Sequence, residues 1–507
     1  MKLNVAIAIQ KEEVLIVPVF EGAKNISATV TKLFKPSANQ KALIASTFET
    51  GEFSGKKGEV SVVRFAGNTV APRAVILMGL GKQKEVTNEQ LRVMAGLAVP
   101  QVQKLKAKTV GFVLSELVSE AKEMEAVAQA VTEGVLLGSY QYVTYQKDKK
   151  KKVKEDALTQ MTVVVTDAQK RYASKGKVAG VAMSQAVVLT RDLVNTPAMD
   201  MKPKDIVAAA MKALKNTDVR IRVYTKAEIQ KMKMGALLGV NAGSDEPPYF
   251  VHMVYKPKKA AKKTKKIALI GKGISFDSGG LSLKPSHFMD TMKMDMAGAA
   301  SVVGVMSQVS AFGPNIEVHG IFPTTENMIS GSATRPGDVL TAYNGKTIEV
   351  KNTDAEGRLI LADALSWTEK NIKPDYIIDI ATLTGAQIAA LGQEYSAYLG
   401  TDEKLKTALK SAAETTGEKM WELPLIEEYR ELMKSPIADW SNLSKQPSWA
   451  GTITASLFLQ AFVEKTPWVH IDIAGPAFVE RQILSYAPYG GSGYVVRTLL
   501  QLLRDMK

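Results

Sequence analysis

The sequence predicts an α/β protein in two parts, a smaller N-terminal α/β domain over residues 1–168 and a larger C-terminal α/β domain over 169–507 with a central mixed sheet flanked by helices. Three observations lead there. At 507 residues the chain exceeds what one core organises, since domains commonly hold about 100–200 residues. Short apolar runs alternate with segments of helical period, the rhythm of α/β layers. Gly-rich, polar turns follow the strands of the second half, where open α/β sheets place their sites. With 46% apolar and 23% charged residues, the composition supports a large buried core and excludes a disordered chain.

In the first part VAIAI, VLIVPVF, RAVILMGLG (73–81), TVGFVL (109–114) and MTVVVT (161–166) read as strands. Helices lie between them, the clearest opening at Thr87 with Gln90 three residues on, the spacing of a capping box. No cluster of His, Asp or Glu in this part suggests a site, so assembly or regulation is the expected task. From about 169 the chain turns helical as far as NTP (195–197), placing the boundary near 168. The second part continues with strand KIALIG (266–271), loop KGISFDSGGLSLKP (272–285), helix AGAASVVGVMSQVSA (297–311) and strand EVHGIFP (317–323). A hairpin pattern over 338–350 has Asn344-Gly345 at its turn. NTDAEGR then leads into helix 359–370 and strand DYIIDIATL (375–383).

The net charge of +14 raises a nucleic-acid partner, but its distribution favours solvated loops. KDKKKKVK (147–154) contributes five net positive charges and KPKKAAKKTKK (256–266) seven, leaving the rest of the chain almost neutral. The absence of cysteine excludes disulfides, thiolate ligands and a cysteine nucleophile, and fits the reducing cytoplasm. The N-terminus carries no signal-peptide pattern, and no apolar stretch of about 18 residues is present, so no membrane span is expected.

The chemistry-bearing residues of the second part are Lys272, Asp277, Lys284, Asp295, Asp354, Glu356 and Arg358. Four acids gathered in one cleft would repel one another unless cations neutralised them, and two divalent ions match their charge. Asp354 and Glu356, two positions apart on a segment read as extended, are expected to point to one side. The four histidines, His252, His287, His319 and His470, are scattered, without an HExxH pair. A metal here would therefore be held by oxygens, with Lys272 a possible nitrogen ligand only as a neutral amine. Structural alternatives exist for each residue: an Asx turn for Asp277, a helix cap for Asp295, a charge cluster at a helix start for Asp354 and Glu356. His470 and Asp472, on one face of WVHIDIAG, are assigned to core packing or subunit contact.

GKGISFDSGGLSLKP, TMKMDMAGAA, RPGDVLTAYNGKTIEVKNTDAEGRLILADAL and DIATLTGA resemble the hallmark segments of the cytosolic leucine aminopeptidase family, dizinc exopeptidases. RDLVNTP, ADW, GTITASLFLQAF and PWVHIDIAGPAF extend the resemblance over about 185–507. It implies that 169–507 is the catalytic domain of a metal-dependent aminopeptidase acting on short peptides, with leucine and other bulky apolar N-terminal residues preferred. Asp277, Asp354 and Glu356, with the Asp354 carbonyl, would hold one ion; Lys272, Asp277, Asp295 and Glu356 would hold the other. The substrate's free α-amine would bind one ion, Lys284 would stabilise the oxyanion, and Arg358 would hold a bicarbonate serving as general base. Met292 matches a position in the pocket for the N-terminal side chain. Zn²⁺ or Mn²⁺ is the expected metal, with Mg²⁺ or Co²⁺ as further options, and a homohexamer the expected assembly. Ala297, where the family commonly has glycine, and SKQPSWAG (444–451) depart from the pattern. The competing functions are a DNA-binding regulator using the lysine runs, since some family members bind DNA, and a dimetal phosphoesterase, against which the chain shows no P-loop or arginine cluster.

Overall fold

The computed structural model describes residues 1–9, 11–65, 72–258 and 264–506. The described chain forms two compact units, Met1–Ser184 with Gln482–Pro488, and Gln185–Arg481 with Tyr489–Lys507. The division falls inside the helix Asp167–Asn195, not at its start near 168. The reason lies in its packing: Gly176 and Gly180 sit against the backbone of Glu125 and Gln129, so the first half of the helix belongs to the N-terminal core. The return of 482–488 was not visible in the sequence either; Ser485 Oγ donates to the Val93 carbonyl at 2.6 Å and Tyr486 Oη to Glu89 at 2.6 Å.

In the first unit, strands β1 (Lys2–Ala6), β2 (Val14–Phe20), β3 (Val60–Arg64), β4 (Ala74–Gly81), β5 (Thr109–Val113) and β6 (Gln160–Val164) form one sheet in the order β1-β6-β5-β2-β4-β3. Only β3 pairs antiparallel; the others are parallel. The buried run along β4 is what a strand covered on both faces requires. The helix Asn88–Lys104 opens on the expected capping box, with Thr87 Oγ1 accepting from the Gln90 N–H at 3.3 Å and Gln90 Oε1 from the Thr87 N–H at 2.9 Å. The first lysine run is neither loop nor hairpin tip: it forms the helix Lys147–Asp156, without a buried residue. Lysine is a good helix former when its ammonium stays in water, and every lysine of this helix is exposed. Of the second run, residues 259–263 lie outside the described residues.

The second unit contains β7 (Arg220–Tyr224), β8 (Tyr249–Tyr255), β9 (Lys266–Gly271), β10 (Gly273–Asp277), β11 (Glu317–Asn327), β12 (Val339–Thr341), β13 (Thr347–Glu349), β14 (Tyr376–Ala381), β15 (Ser396–Gly400), β16 (Met420–Glu422), β17 (Trp440–Ser441) and β18 (Trp468–Asp472). Its main sheet runs β16-β15-β18-β14-β9-β11-β8-β7, with β10 beside β11. The central strands β18, β14, β9 and β11 are mutually parallel, while β8 and β15 join antiparallel, giving a mixed sheet. Helices Ala297–Phe312 and Gly357–Ile372 bury most of their length. The latter puts Ile360, Leu361, Ala364 and Leu365 into the core with Ala268, Ile270 and Ile377 of the strands. β12 and β13 form the expected hairpin. His470 and Asp472 are core residues: His470 Nδ1 meets Asp379 Oδ1 at 2.6 Å, and Asp472 accepts from Thr384 Oγ1 at 2.6 Å. No described helix is long and apolar enough to cross a membrane.

Candidate metal centre

Strand ends carry the site. Lys272 joins β9 to β10 and is pinned by its backbone, its N–H donating to the Ile380 carbonyl at 3.0 Å and its carbonyl accepting from Ala299 at 2.8 Å. Asp277 is the last residue of β10. The following turn places Gly279 and Gly280 at φ +87° and +63°, the left-handed region that a side chain disfavours. This turn sends the chain back so that Lys284 Nζ lies 2.8 Å from Asp277 Oδ2 and 2.5 Å from Asp354 Oδ1. Asp295 follows the single turn Met292–Met294, and Lys272 Nζ reaches its Oδ1 at 2.7 Å and Glu356 Oε1 at 2.8 Å. The ligand atoms of Asp277, Asp354 and Glu356 lie within 4.8 Å of one another.

Three separated stretches therefore bring four acids to one place, but not all by the expected route. Residues 352–356 form a turn, and Glu356 takes a helical conformation as N-cap of Gly357–Ile372. The two carboxylates converge through this turn, not through the alternation of an extended strand. Asp277 does make the Asx turn, its Oδ1 accepting from the Gly279 N–H at 2.9 Å, while its other oxygen stays in the cluster. Asp295 does not cap the helix that follows it: the N-cap position before Ala297 is Met296, without a side-chain bond.

Electrostatics mark the cluster as short of positive charge. Two lysines face four buried or half-buried carboxylates. Burial, then the Glu356 charge, pushes Asp277 up; burial raises Asp295 well above the usual carboxylate range; and burial, with Asp277 and Glu356, takes Asp354 to about 7. Burial would also raise Glu356, but Lys272 and Lys284 outweigh it and hold it low. Burial works against the Lys272 ammonium, yet Asp295, Glu356 and Asp277 keep it above the ordinary lysine value, so without a further cation Lys272 is an ammonium and not the neutral amine that ligation needs. Asp295 Oδ2, Asp354 Oδ1 and both Glu356 oxygens are buried without an aligned hydrogen bond, although Asp354 Oδ1 and Glu356 Oε1 lie at ion-pair distance from a lysine. Unpartnered anionic oxygens at this depth are costly, and divalent cations are the partners that such an oxygen-rich set fits.

Arg358 is buried on the helix that starts beside Glu356. Its Nη1 donates to the Asn442 carbonyl at 2.9 Å, and its Nε has no partner. Burial lowers its pKa to about 10. A buried guanidinium with a free donor fits a small oxyanion. Met292 is half-buried at the start of its turn.

Two residues that the sequence reading did not single out hold the acids in place. Asn327, ending β11, donates from Nδ2 to Asp277 Oδ1 at 2.8 Å and to the Thr353 carbonyl at 3.0 Å. Thr382, just after β14, donates from Oγ1 to Asp295 Oδ1 at 2.7 Å, and its carbonyl accepts from Lys272 Nζ at 2.9 Å. Thr382 stands inside the quoted segment DIATLTGA, whereas Asn327 carries no signal beyond being a polar residue shortly after an apolar strand.

Comparison with known proteins gives a consistent result. Residues 188–500 match the family described as cytosol aminopeptidase family, catalytic domain, and 16–149 match its N-terminal domain. The chain is 42% identical over 463 residues to a probable cytosol aminopeptidase of Chlorobium limicola, covering 89% of this chain and 90% of that one. A probable cytosol aminopeptidase of Picosynechococcus is 41% identical over 493 residues, covering 97% and 94%. Among solved structures, a mutant of tomato leucine aminopeptidase superposes with a TM-score of 0.86 at 31% identity, over 99% of this chain and 96% of that one. The bottromycin maturation enzyme BotP in complex with Mn gives 0.83 at 33% identity, over 97% and 99%.

Proposed function

Because the chain belongs to the cytosol aminopeptidase family and is a metal-dependent aminopeptidase, we propose that it works with a pair of divalent ions, releasing leucine and other bulky apolar residues from the free amino end of short peptides. The observation that carries this reading is the set of buried carboxylate oxygens without hydrogen bonds, contributed by acids from separate segments. Asp277, Asp354 and Glu356, with the Asp354 carbonyl, hold one ion. Lys272, Asp277, Asp295 and Glu356 would hold the other, with Lys272 as a neutral amine. When bound, such a pair polarises the scissile carbonyl and lowers the pKa of water toward neutrality.

The other residues act on the substrate. Lys284, with its side chain 15% exposed between Asp277 and Asp354, has the positive charge and the access to donate to the oxyanion that develops on the scissile carbonyl. Arg358 would hold a bicarbonate, which would supply a general base, and its unpartnered Nε is free to bind such an oxyanion. Met292 forms a wall of the pocket for the N-terminal side chain. Mn²⁺ is supported as one occupant by the BotP complex, and Zn²⁺ by the affinity of a neutral amine for it. The names of the relatives support a cytoplasmic enzyme, and the family resemblance a homohexamer.

Hydrolysis of leucine p-nitroanilide tests this reading: chelator should abolish it, Mn²⁺, Zn²⁺ or Co²⁺ should restore it, and the N-acetylated substrate should be inert. Chelator-resistant turnover would overturn it. A second reading, DNA binding, has one observation in its favour, the exposed lysines of Lys147–Asp156. It requires salt-sensitive affinity for duplex DNA that is lost when these lysines are neutralised.

A further inference from the structure

A carboxylate has two oxygens, and an oxygen already saturated by fixed donors is not the one that meets a cation. At Asp277, Oδ1 accepts from both the Gly279 N–H at 2.9 Å and Asn327 Nδ2 at 2.8 Å, which leaves Oδ2 to the cluster beside Lys284. At Asp295, Oδ1 accepts from Thr382 Oγ1 and Lys272 Nζ, both at 2.7 Å, while Oδ2 is buried with no hydrogen bond. Both donors belong to buried residues. They also sit symmetrically: β11 and β14 flank β9 in the sheet, and each supplies one side chain from its C-terminal end to one acid. Asn327 further joins the two ligand loops, since Nδ2 also reaches the Thr353 carbonyl at 3.0 Å and its own carbonyl accepts from the Ser278 N–H at 3.0 Å and Oγ at 2.8 Å.

We infer that Asn327 and Thr382 are positioning residues that select which oxygen of Asp277 and of Asp295 faces the ions, and so set how tightly the centre holds them. This rests on the two-ion reading above. Hydrogen-bonding partners behind metal ligands fix ligand orientation, and their loss commonly costs about 10–100-fold in metal affinity or activity. Thr382→Val keeps the shape and removes the donor; Thr382→Ser keeps the donor; Asn327→Leu keeps the branching and removes both donors.

The test titrates Mn²⁺ into each metal-free full-length protein by calorimetry and records the visible absorption of its Co²⁺ form, with circular dichroism as the check on folding. The expected result is two Mn²⁺ per wild-type chain. Thr382→Val should hold one of the two, and Asn327→Leu both, roughly 10–100-fold more weakly, with altered Co²⁺ absorption and kcat reduced more than KM changes. Thr382→Ser should restore affinity and absorption. If Thr382→Val fails to fold, Asn327→Leu alone decides. Wild-type affinity and absorption in the folded donor-free variants would overturn the inference while leaving the two-ion reading intact, as would a Thr382→Ser variant as impaired as Thr382→Val. A wild-type chain that takes up no pair of ions would overturn both.

Discussion

Replacing Gly357 by alanine tests the placement of Lys272 without touching a charge. A Cβ at this position would lie 2.5 Å from Lys272 Cε and 2.7 Å from both Cδ and Nζ. Carbon contacts settle at about 3.5–4.0 Å, so the lysine must retreat by about 1 Å. Lysine is flexible, but this one is buried, and its ammonium has a partner for each proton, at 2.7, 2.8 and 2.9 Å. A retreat of about 1 Å takes at least one of these beyond hydrogen-bond range. In the metal-loaded enzyme the same retreat carries the Lys272 amine away from the ion it would ligate, and a misplacement of about 1 Å in a catalytic constellation can cost on the order of 10²-fold in kcat/KM. The helix itself does not suffer, since alanine is the better helix former by up to about 1 kcal/mol. The assay is kcat/KM on leucine p-nitroanilide at saturating Mn²⁺, with bound metal measured in parallel. Gly331→Ala, whose Cβ would meet nothing within 4 Å, is the control and should match the wild type. A Gly357→Ala enzyme with full activity and full metal content would refute this placement of Lys272.

Further outcomes follow from the same geometry. Lys284→Met should lower kcat by about 10²–10³, the usual effect of removing one oxyanion donor, with a smaller change in KM; equal loss through KM alone would assign Lys284 to binding. Arg358→Ala should lower kcat and abolish its dependence on added bicarbonate, which a titration of bicarbonate into degassed buffer reads directly. Asp379→Ala should destabilise the chain by about 3–5 kcal/mol, the cost of removing one partner from a buried pair, because it strands His470 and the Trp468 indole N–H, each 2.6 Å from the Asp379 carboxylate. Burial works against the charged His470, but Asp379 outweighs it and raises its pKa. The pair's contribution is therefore complete below about pH 6.5 and fades as pH rises through the folded-state value. Denaturant midpoints of wild type and variant, compared across pH, measure it.

Much of the scaffold was legible because strong periodicity and flanking turn residues agree along the chain. The strands KIALIG and DYIIDIATL, the Asn344-Gly345 hairpin and the Thr87 capping box all appear where local pattern places them. The acids of the centre were legible as chemistry, because Asp277, Asp295, Asp354 and Glu356 lie in or beside turns between strands and helices and cannot be neutralised by the few cations near them in sequence. Other features depend on neighbours that one sequence does not reveal. Asn327 and Thr382 are ordinary polar residues until the order β14-β9-β11 brings them against two of the acids. The helical turn at Glu356 replaced an expected extended segment because the following helix begins one residue later. The division at 184 and the return of 482–488 come from long-range packing. The lysine run at 147 reads as loop by charge but forms a helix, because solvated lysines carry no penalty for helical backbone.

The most direct test of the account is anomalous diffraction from crystals of the protein grown with Mn²⁺ and measured on either side of the manganese absorption edge. The account predicts two manganese peaks per chain, about 3.5–4 Å apart, enclosed by Asp277, Asp295, Asp354 and Glu356. A single peak, none, or a pair held by other residues would contradict it.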